Sequence, residues 1–477
     1  MQEETAMFLK NSSNIAIVTE NSEITYSDLL KTVALFSDIL GNLDGKRAVI
    51  ISENRPEYIY TFYAIWKSGG IVVPVDFMST PEEIAYIIND CEPDTICFSE
   101  KVRENVEKAL TVSGKNVRKL VFEEIHGDIS KYEAADFDVE DEEKTSLIIS
   151  TSGTTGSPKG VMLSCRNIMA NMDALQECGY YTQNDVVLMI LPLHHVFPLL
   201  GTVVAPLLGG GKAVICPSLQ ASDIAKMMEK SHPTMILAVP RFYEMMMKGI
   251  MQKINSGFLT KAIFKIAKIA DNTAFSKIIF KSVAKKFGGN LKHFICGGAK
   301  LDPEVWNCFK VLGFSIGDGY GMTEASPMIT FPRPGKGKAG CVGTELAKGT
   351  VKIVDGEIVA TGKNIMKGYY NRPEETAEVL RDGWLYTGDL GHFDKEGNLC
   401  ITGRKKEIII LGNGKNVNPS EIEQYIERSD TLIKEIAVIA KNGVLCAIIR
   451  PDEKILAQRQ IPNLEEYIRW EIIDRYK

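Results

Sequence analysis

The amino-acid sequence predicts an α/β protein in which a large amino-terminal domain of helix-covered sheets carries a β subdomain and precedes a small α+β carboxy-terminal domain. Three observations support this fold class. The 477 residues exceed what a single hydrophobic core usually holds, so more than one domain is expected. Short apolar runs alternate with longer amphipathic stretches over the first two-thirds of the chain. From about Thr344 the runs become shorter and are joined by turn sequences.

The amino-terminal alternation predicts strands and helices in turn. The apolar run 48–52 predicts a buried strand, residues 57–68 predict a helix, and Gly69-Gly70 ends that helix. Short joints rich in Gly, Pro and Asn between such elements indicate parallel sheets covered by helices. The same rhythm predicts strands over 71–75, 94–98, 185–191, 212–216, 234–239 and 293–296, with a helix over 81–90.

The carboxy-terminal third has a different pattern. Asp-Gly and Gly-Asn at its joints favour tight turns between antiparallel strands, here over 350–354, 357–361, 384–390 and 399–402. A strand over 408–411 and a helix over 419–428 follow. The predicted domains are therefore residues 1–402, with a β subdomain at about 344–402, and residues 403–477.

Composition excludes several classes of protein. Hydrophobic residues make up 45% and charged residues 24%, and the formal net charge is −6, so nucleic acid is not the expected partner. The cysteines include no C-x-x-C pair, the spacing typical of zinc and redox sites. The polar, acidic start is not a signal peptide, and no apolar run reaches the length of a membrane span. A cytoplasmic location is expected.

The segment from Thr151 to Gly160 predicts a phosphate-binding loop between two strands. Gly153 and Gly156 allow sharp turns, and the hydroxyls of the loop can contact phosphate oxygens together with backbone N–H groups. Lys159 adds a positive charge. The spacing is not that of a Walker A loop, and a flexible linker would not need Pro-Lys-Gly before a strand. The hydroxyl residues are Thr151, Ser152, Thr154 and Thr155.

The loop resembles the phosphate-loop motif of the ANL superfamily, which comprises acyl-CoA synthetases, adenylation domains of peptide synthetases and luciferases. Gly319-Tyr320-Gly321-Met322-Thr323-Glu324 resembles the second signature of that superfamily. The resemblance implies that Tyr320 lies against adenine between Gly319 and Gly321, and that Thr323 contacts phosphate. It assigns Mg²⁺ to Glu324 and Thr155. It also implies contacts of Asp318 with the adenine amino group and of Gly298 and Ala299 with the other adenine face.

Two further matches lie in the carboxy-terminal third. Tyr386-Thr387-Gly388-Asp389 resembles the third signature, which implies that Asp389 accepts hydrogen bonds from the ribose hydroxyls. Arg404 matches an arginine that reaches ribose or phosphate. Lys406 matches the pivot about which the carboxy-terminal domain of the family swings, so that domain is expected to be mobile.

The segment 191–197 resembles the motif that carries a histidine beside the substrate carboxylate, which points to His195 with His194 next to it. A cation or N–H donor there could orient the carboxylate for attack on the α-phosphate; a satisfied core histidine is the alternative. The apolar runs 197–200 and 203–208 fit an acyl pocket or an ordinary packed helix. The string 414–423 resembles fatty acyl-CoA synthetases more than aryl or short-chain ones, so a long aliphatic acid is expected.

Residues 248–292 contain ten lysines and one acidic residue, Asp271, interleaved with Phe and Ile. This basic, amphipathic segment predicts either peripheral contact with anionic lipid at the inner membrane face, through which fatty acid would enter, or a solvated surface helix pair. The two interpretations have equal weight.

The sequence thus predicts an ATP-dependent acid–thiol ligase that forms acyl-AMP and transfers the acyl group to CoA. ATP, Mg²⁺ and CoA are the expected cofactors, and a carboxylic acid is the expected small-molecule substrate. One alternative is a fatty acyl-AMP ligase that loads an acyl carrier protein, and another is a catalytically impaired nucleotide-binding protein. The lysine motif expected near the carboxy terminus is not found, so the last domain is interpreted as truncated or as lacking that lysine.

Overall fold

A computed structural model describes residues 7–139, 141–151, 158–411, 416–441 and 444–473. The chain forms two compact units. The first comprises residues 1–351, 360–385 and 395–399, and the second comprises residues 352–359, 386–394 and 400–477. The second unit thus takes in two upstream segments as well as the carboxy-terminal residues. The domain boundary predicted at 402/403 stays a prediction.

The first unit contains a seven-stranded sheet that is parallel at its centre and antiparallel at one edge. The central strands are continuous apolar runs because both faces are buried under helices. In spatial order the strands are β21 (Gly368–Tyr369), β10 (Lys159–Ser164), β9 (Thr145–Thr151), β5 (Ile71–Val75), β4 (Arg47–Ile51), β6 (Thr95–Phe98) and β7 (Arg118–Val121).

A second seven-stranded sheet in the same unit is parallel except for its last pair. Its carboxyl strand ends lie along one edge, the place where open α/β sheets usually bind ligands. In spatial order the strands are β15 (Ser315–Asp318), β14 (His293–Cys296), β13 (Met235–Ala238), β11 (Val186–Met189), β12 (Lys212–Ile215), β2 (Ile15–Val18) and β3 (Glu23–Thr25). Shorter strands form the pair β1 (Met7–Leu9) with β8 (Phe137–Asp138) and the sheet β16 (Tyr320–Gly321), β17 (Met328–Phe331) and β18 (Thr344–Glu345).

Helices cover these sheets. Their starts follow ordinary capping rules: Thr80 and Glu83 form a capping box with Pro81 at the first helical position, and Ser164 caps α5 with Asn167. The helices are α1 (Tyr26–Leu40), α2 (Pro56–Lys67), α3 (Pro81–Cys91), α4 (Arg103–Ser113), α5 (Cys165–Glu177), α6 (Val196–Pro198), α7 (Ala205–Leu208), α8 (Ala221–Ser231), α9 (Pro240–Asn255), α10 (Phe258–Ala270), α11 (Thr273–Ile279), α12 (Lys281–Lys286), α13 (Pro303–Val311) and α14 (Pro373–Val379). Within the described residues, no helix is long and apolar enough to cross a membrane.

Strands of the predicted β subdomain supply much of the upstream part of the second unit. The strands are β19 (Val351–Val354), β20 (Glu357–Ala360), β22 (Leu380–Arg381), β23 (Trp384–Phe393) and β24 (Leu399–Arg404). In this sheet β20 lies between β19 and β23. Strand β24 pairs with β23, and the short strand β22 pairs antiparallel with the start of β23. The carboxy-terminal elements are β25 (Ile409–Ile410), β26 (Asn416–Val417), α15 (Pro419–Ser429), β27 (Ile433–Lys441), β28 (Val444–Pro451), α16 (Glu453–Arg459) and α17 (Leu464–Tyr467).

The α/β class predicted from the sequence is confirmed, and β5 and β14 have the predicted bounds. The last described residues are helical, with α17 continuing as a π-helical turn, Ile468–Ile473.

Candidate active site

The strands on either side of the predicted phosphate loop, β9 and β10, are antiparallel neighbours in the first sheet. Thr151 and Lys159 face each other across β9 and β10, and Thr151 Oγ1 donates to the Lys159 carbonyl at 3.4 Å. Tyr86 donates its hydroxyl hydrogen to the Pro158 carbonyl at 3.2 Å. The prediction that the loop joins two strands is confirmed. The remaining predicted residues of the loop lie outside the described residues: Ser152, Gly153, Thr154, Thr155 and Gly156.

A tyrosine links the lysine of this hairpin to the predicted magnesium ligand. Tyr369 on β21 pairs with Val161 on β10, and the Lys159 Nζ lies 5.1 Å from the centroid of its ring, within cation–π range. Its hydroxyl donates to Glu324 Oε1 at 2.8 Å. Burial and then the Glu324 carboxylate raise the pKa of Tyr369, so the phenol remains a hydrogen-bond donor at neutral pH. Tyr369 was not among the residues predicted from the sequence.

The side-chain amides of the buried Asn171 and the half-buried Asn364 hold the turn that carries Thr323 and Glu324. Asn171 Nδ2 donates to the carbonyls of Ala325 and Ser326, at 2.7 and 2.8 Å. The side-chain amide of Asn364 donates to the carbonyl of Ala325 as well, at 3.2 Å. These residues also escaped the sequence analysis. The available signal was a polar residue on the apolar face of α5, since Asn171 is buried beside Met172 and Leu175.

Asp318 ends β15 with its side chain buried, only 5% exposed. The Cys296 thiol and the Leu301 backbone hydrogen-bond to its carboxylate. Its Oδ1 has no hydrogen-bond partner among the residues that the structure describes. Because burial disfavours the charged form, the pKa of Asp318 rises to about 7. A buried Oδ1 without a donor fits the adenine amino group, which the resemblance implies contacts Asp318.

The other residues predicted at the adenine face lie at neighbouring strand ends. Gly298 and Ala299 follow β14, and Tyr320 is buried on β16 directly after Asp318 and Gly319. Gly298 has a φ of +83°, which favours glycine. A Cβ atom at Gly321 would lie 1.8 Å from the Pro327 carbonyl oxygen, so only glycine fits there.

The two histidines lie on the turn after β11, at the same edge of the second sheet. Asn54 holds this turn by hydrogen bonds to the Leu191 carbonyl and the Leu193 amide, at 2.8 and 3.2 Å. The Nε2 atoms of His194 and His195 are 2.9 Å apart.

Burial disfavours the charged form of both histidines. Burial and then His195 lower the pKa of His194 to about 4, against the opposing effect of Asp76, whose Oδ1 lies 3.6 Å from His194 Nδ1. Partial burial lowers the pKa of His195 as well. Of the two roles left open for this position, the N–H donor is therefore favoured over the cation.

An apolar cavity of about 20 Å³ is lined in part by Phe197, two residues after His195. Phe197 packs its ring against Gly297, and Gly201 allows close approach to Leu237, whose Cδ2 would be 2.4 Å from an added Cβ. The run 199–204 is a fully buried π-helical turn. A cavity of this size holds about one water molecule, so an acyl chain needs these side chains to move apart. The lining is Met172, Leu175, Tyr181, Phe197, Leu200, Gly201, Ile295, Pro327, Met328 and Phe331.

The second unit holds the remaining predicted residues. Arg404 Nε lies 3.2 Å from Asp389 Oδ1, so these two predicted ribose ligands form an ion pair. The buried Glu357 carboxylate accepts from the Gly388 amide at 3.0 Å and from Lys405 Nζ at 2.8 Å, which ties the strand carrying Asp389 to the turn carrying Lys406. Lys406 itself is exposed.

Helix-covered parallel sheets with glycine-rich segments at their ends are the architecture of adenylate-forming enzymes of the ANL superfamily. The family model described as AMP-binding enzyme matches residues 5–370, and the model described as AMP-binding enzyme C-terminal domain matches residues 406–476. The chain belongs to the AMP-binding enzyme family.

Relatives with assigned names cover most of the chain. A long-chain-fatty-acid–CoA ligase of Bacillus subtilis is 28% identical over 89% of this chain and 79% of its own length. Long-chain-fatty-acid–CoA ligase 5 of Rattus norvegicus is 30% identical over 85% of this chain and 67% of its own length.

Among solved structures, ATP-bound MatB from Rhodopseudomonas palustris is 26% identical, with a TM-score of 0.77 over 93% of this chain and 87% of its own. A fatty acyl CoA synthetase of Mycobacterium tuberculosis matches with a TM-score of 0.72 at 23% identity over 94% of this chain and 87% of its own, a likeness of fold.

Proposed function

We propose that this protein is a long-chain fatty acid–CoA ligase. It joins a fatty acid to AMP at the expense of ATP and then transfers the acyl group to the thiol of CoA. The observation that carries the proposal is a series of side-chain contacts from Lys159 through Tyr369 to Glu324, which holds a cation and a carboxylate beside the phosphate-loop hairpin. Membership of the AMP-binding family and the names of its relatives support the reaction and the class of acid.

In the first half-reaction a carboxylate oxygen of the fatty acid attacks the α-phosphorus of ATP. The bond from that phosphorus to the bridging oxygen breaks, and pyrophosphate leaves with the electron pair. Lys159 and the loop hydroxyls Thr151, Thr154 and Thr155 would stabilise the charge that develops on the phosphate oxygens. Neutral His195 would donate an N–H to the attacking carboxylate and orient it without forming a tight ion pair.

Adenine would be bound at the carboxyl ends of the second sheet. Its amino group would donate to the unpartnered Oδ1 of Asp318, and its ring would lie between Tyr320 and the Gly298-Ala299 segment. The ribose hydroxyls would be held by Asp389 and Arg404. Each assignment uses a side chain whose hydrogen-bonding capacity matches the group it would meet.

Glu324 is proposed as the magnesium ligand, with Thr155 as a second oxygen donor. The Glu324 carboxylate fits a hard cation, because Mg²⁺ prefers oxygen ligands and Tyr369 fixes one of its oxygens. The ion would neutralise phosphate charge. The protein's own contribution is to hold this carboxylate oriented and shielded from bulk water.

In the second half-reaction the sulfur of CoA attacks the acyl carbonyl carbon. The bond from this carbon to the phosphate oxygen breaks, AMP leaves, and the thiol proton passes to solvent. Lys406 is proposed as the pivot residue for the rearrangement that admits the thiol.

The proposal is tested by incubating the protein with ATP, Mg²⁺ and acids of graded chain length, and then adding CoA or a phosphopantetheinylated carrier protein. Acyl-AMP without a thiol and long-chain acyl-CoA with CoA are expected. Transfer to the carrier protein alone would instead identify an acyl-AMP ligase. Glu324→Gln should abolish acyl-AMP formation, whereas Glu304→Gln, an exposed carboxylate on α13, should not. ATP binding without acid-dependent turnover would contradict the proposal.

A further inference from the structure

Helix α10 exposes an apolar stripe to solvent. Phe258 is 90% exposed and Ile269 is 84% exposed, and Leu259 and Ile266 are exposed beside them. Residues 258, 262, 266 and 269 recur at helical spacing, so their side chains lie along one face. The opposite face packs on the core through Ala267, Ile263 and Phe264. Exposed apolar residues in a row are uncommon on the surface of a soluble protein and mark interaction sites.

Lysines flank this stripe. Lys261, Lys265 and Lys268 repeat at the same helical spacing along its edge and are exposed. They belong to the ten lysines of residues 248–292, a segment whose one acidic residue, Asp271, is already paired with Lys310 at 2.7 Å. Within the described residues none of the ten lysines lies within ion-pair distance of a carboxylate. The surface therefore combines uncompensated positive charge with solvent-exposed apolar side chains.

We propose that α10–α12 form a docking surface for a membrane that contains anionic lipid. Apolar side chains would enter the boundary between headgroups and acyl chains while the lysines contact lipid phosphates, the arrangement of interfacial helices. Nucleic acid would use the charge but not the exposed Phe, Leu and Ile side chains. A second copy of this chain in a symmetric contact would bring two sets of the same positive charges together.

The position of this surface suits delivery of a membrane-dissolved acid. Helix α9 starts at Pro240, directly after Val239. The Val239 side chain is a neighbour of Gly298, because its Cγ1 would lie 3.9 Å from a Cβ added to that glycine. Its 16 residues span about 24 Å and lead to α10. One helix therefore connects the proposed nucleotide site to the docking surface. This role rests on the proposed function, whereas docking itself does not.

The test is sedimentation of the full chain with vesicles of phosphatidylcholine, with and without phosphatidylglycerol. Wild type should sediment with the anionic vesicles and lose this binding at high salt. Each lysine near an anionic surface contributes about fivefold to partitioning. The variant with Lys261, Lys265 and Lys268 changed to Gln should therefore bind about a hundredfold more weakly. A second variant, Phe258→Ser with Ile269→Ser, should also bind more weakly and remain folded because both residues are exposed.

A matched control changes Lys46, Lys67 and Lys131 to Gln; these lysines are also exposed and lie outside residues 248–292. It should bind as wild type does. The proposal would be overturned if the control lost as much vesicle binding as the triple lysine variant, if wild type did not bind vesicles, or if it bound neutral vesicles equally well. A dimer that buries this surface, or exclusive binding to nucleic acid, would overturn it as well. Turnover of palmitate held in detergent micelles, without vesicles, is measured in parallel. If turnover fails while vesicle binding persists, the proposed function falls and the docking proposal stands.

Discussion

Replacing Asp318 with Asn is expected to make the protein more stable and a poorer binder of ATP. The pKa of Asp318 is raised from 3.8 to about 7 by burial. The difference corresponds to about 4 kcal/mol of destabilisation once the carboxylate is ionised in the folded state. Between these two values the folded state binds more protons than the unfolded state, so this group makes stability fall as the pH rises from about 4 to 7.

Asn keeps the size of Asp318 and removes its charge. At pH 8 the variant should gain about 2–4 kcal/mol over wild type, because some cost of an unpaired buried amide remains. At pH 4 both side chains are neutral and the gain should vanish. Thermal unfolding followed by intrinsic fluorescence across this pH range measures the difference, and it should appear as a few degrees at pH 8.

The same substitution separates a structural role of Asp318 from a binding role. If the amide nitrogen introduced by Asp318→Asn meets the adenine amino group, two donors face each other, and ATP affinity should fall about 10–100-fold. Equal stability of the two proteins at pH 8 would refute the reasoning on burial. A stabilised variant with unchanged ATP affinity would refute the adenine contact.

Tyr369→Phe should lower kcat/KM about tenfold or more and raise the Mg²⁺ concentration needed for half-maximal rate, because Glu324 loses the hydrogen bond that orients it. Tyr370→Phe is the matched control. An equal effect of the two substitutions would contradict this role of Tyr369. Asn171→Ala should destabilise the protein by about 2 kcal/mol, measured by urea unfolding, because the Ser326 carbonyl loses its donor and the Ala325 carbonyl keeps only Asn364. An unchanged free energy of unfolding would contradict this role of Asn171. The pKa of His194 is lowered to about 4 in the folded protein. Between pH 4 and 6.5 the unfolded chain therefore binds more protons than the folded protein does, so acid destabilises the fold by up to about 3 kcal/mol through this group. His194→Asn should flatten that part of the pH–stability curve, and an unchanged curve would disprove the assignment.

Local patterns in the sequence predicted the elements well where burial is strong on both faces. Strand β5 is an uninterrupted apolar run closed by Gly and Asp, and its bounds are as predicted. Strand β15 was not predicted, because Ser-Ile-Gly-Asp contains only one apolar side chain. Its burial comes from neighbours outside the strand, such as Phe331 against Gly317, which the pattern of the strand itself does not report.

The candidate site was predictable where a short motif carries it and hidden where distant residues support it. Glu324 and Lys159 lie in recognisable strings, but Tyr369 contacts both of them from 45 and 210 positions further along the chain. Asn171 reaches the Glu324 turn across 154 positions. Such contacts depend on how the sheets pack, and no local periodicity reports them.

The central claim, that this chain converts a fatty acid to its CoA thioester through an adenylate, is tested most directly by mass spectrometry of the products from palmitate, ATP, Mg²⁺ and CoA. The account predicts palmitoyl-CoA together with AMP and pyrophosphate in equal amounts, with palmitoyl-AMP detectable when CoA is withheld. Formation of ADP and phosphate, or no product that depends on the acid, would contradict it.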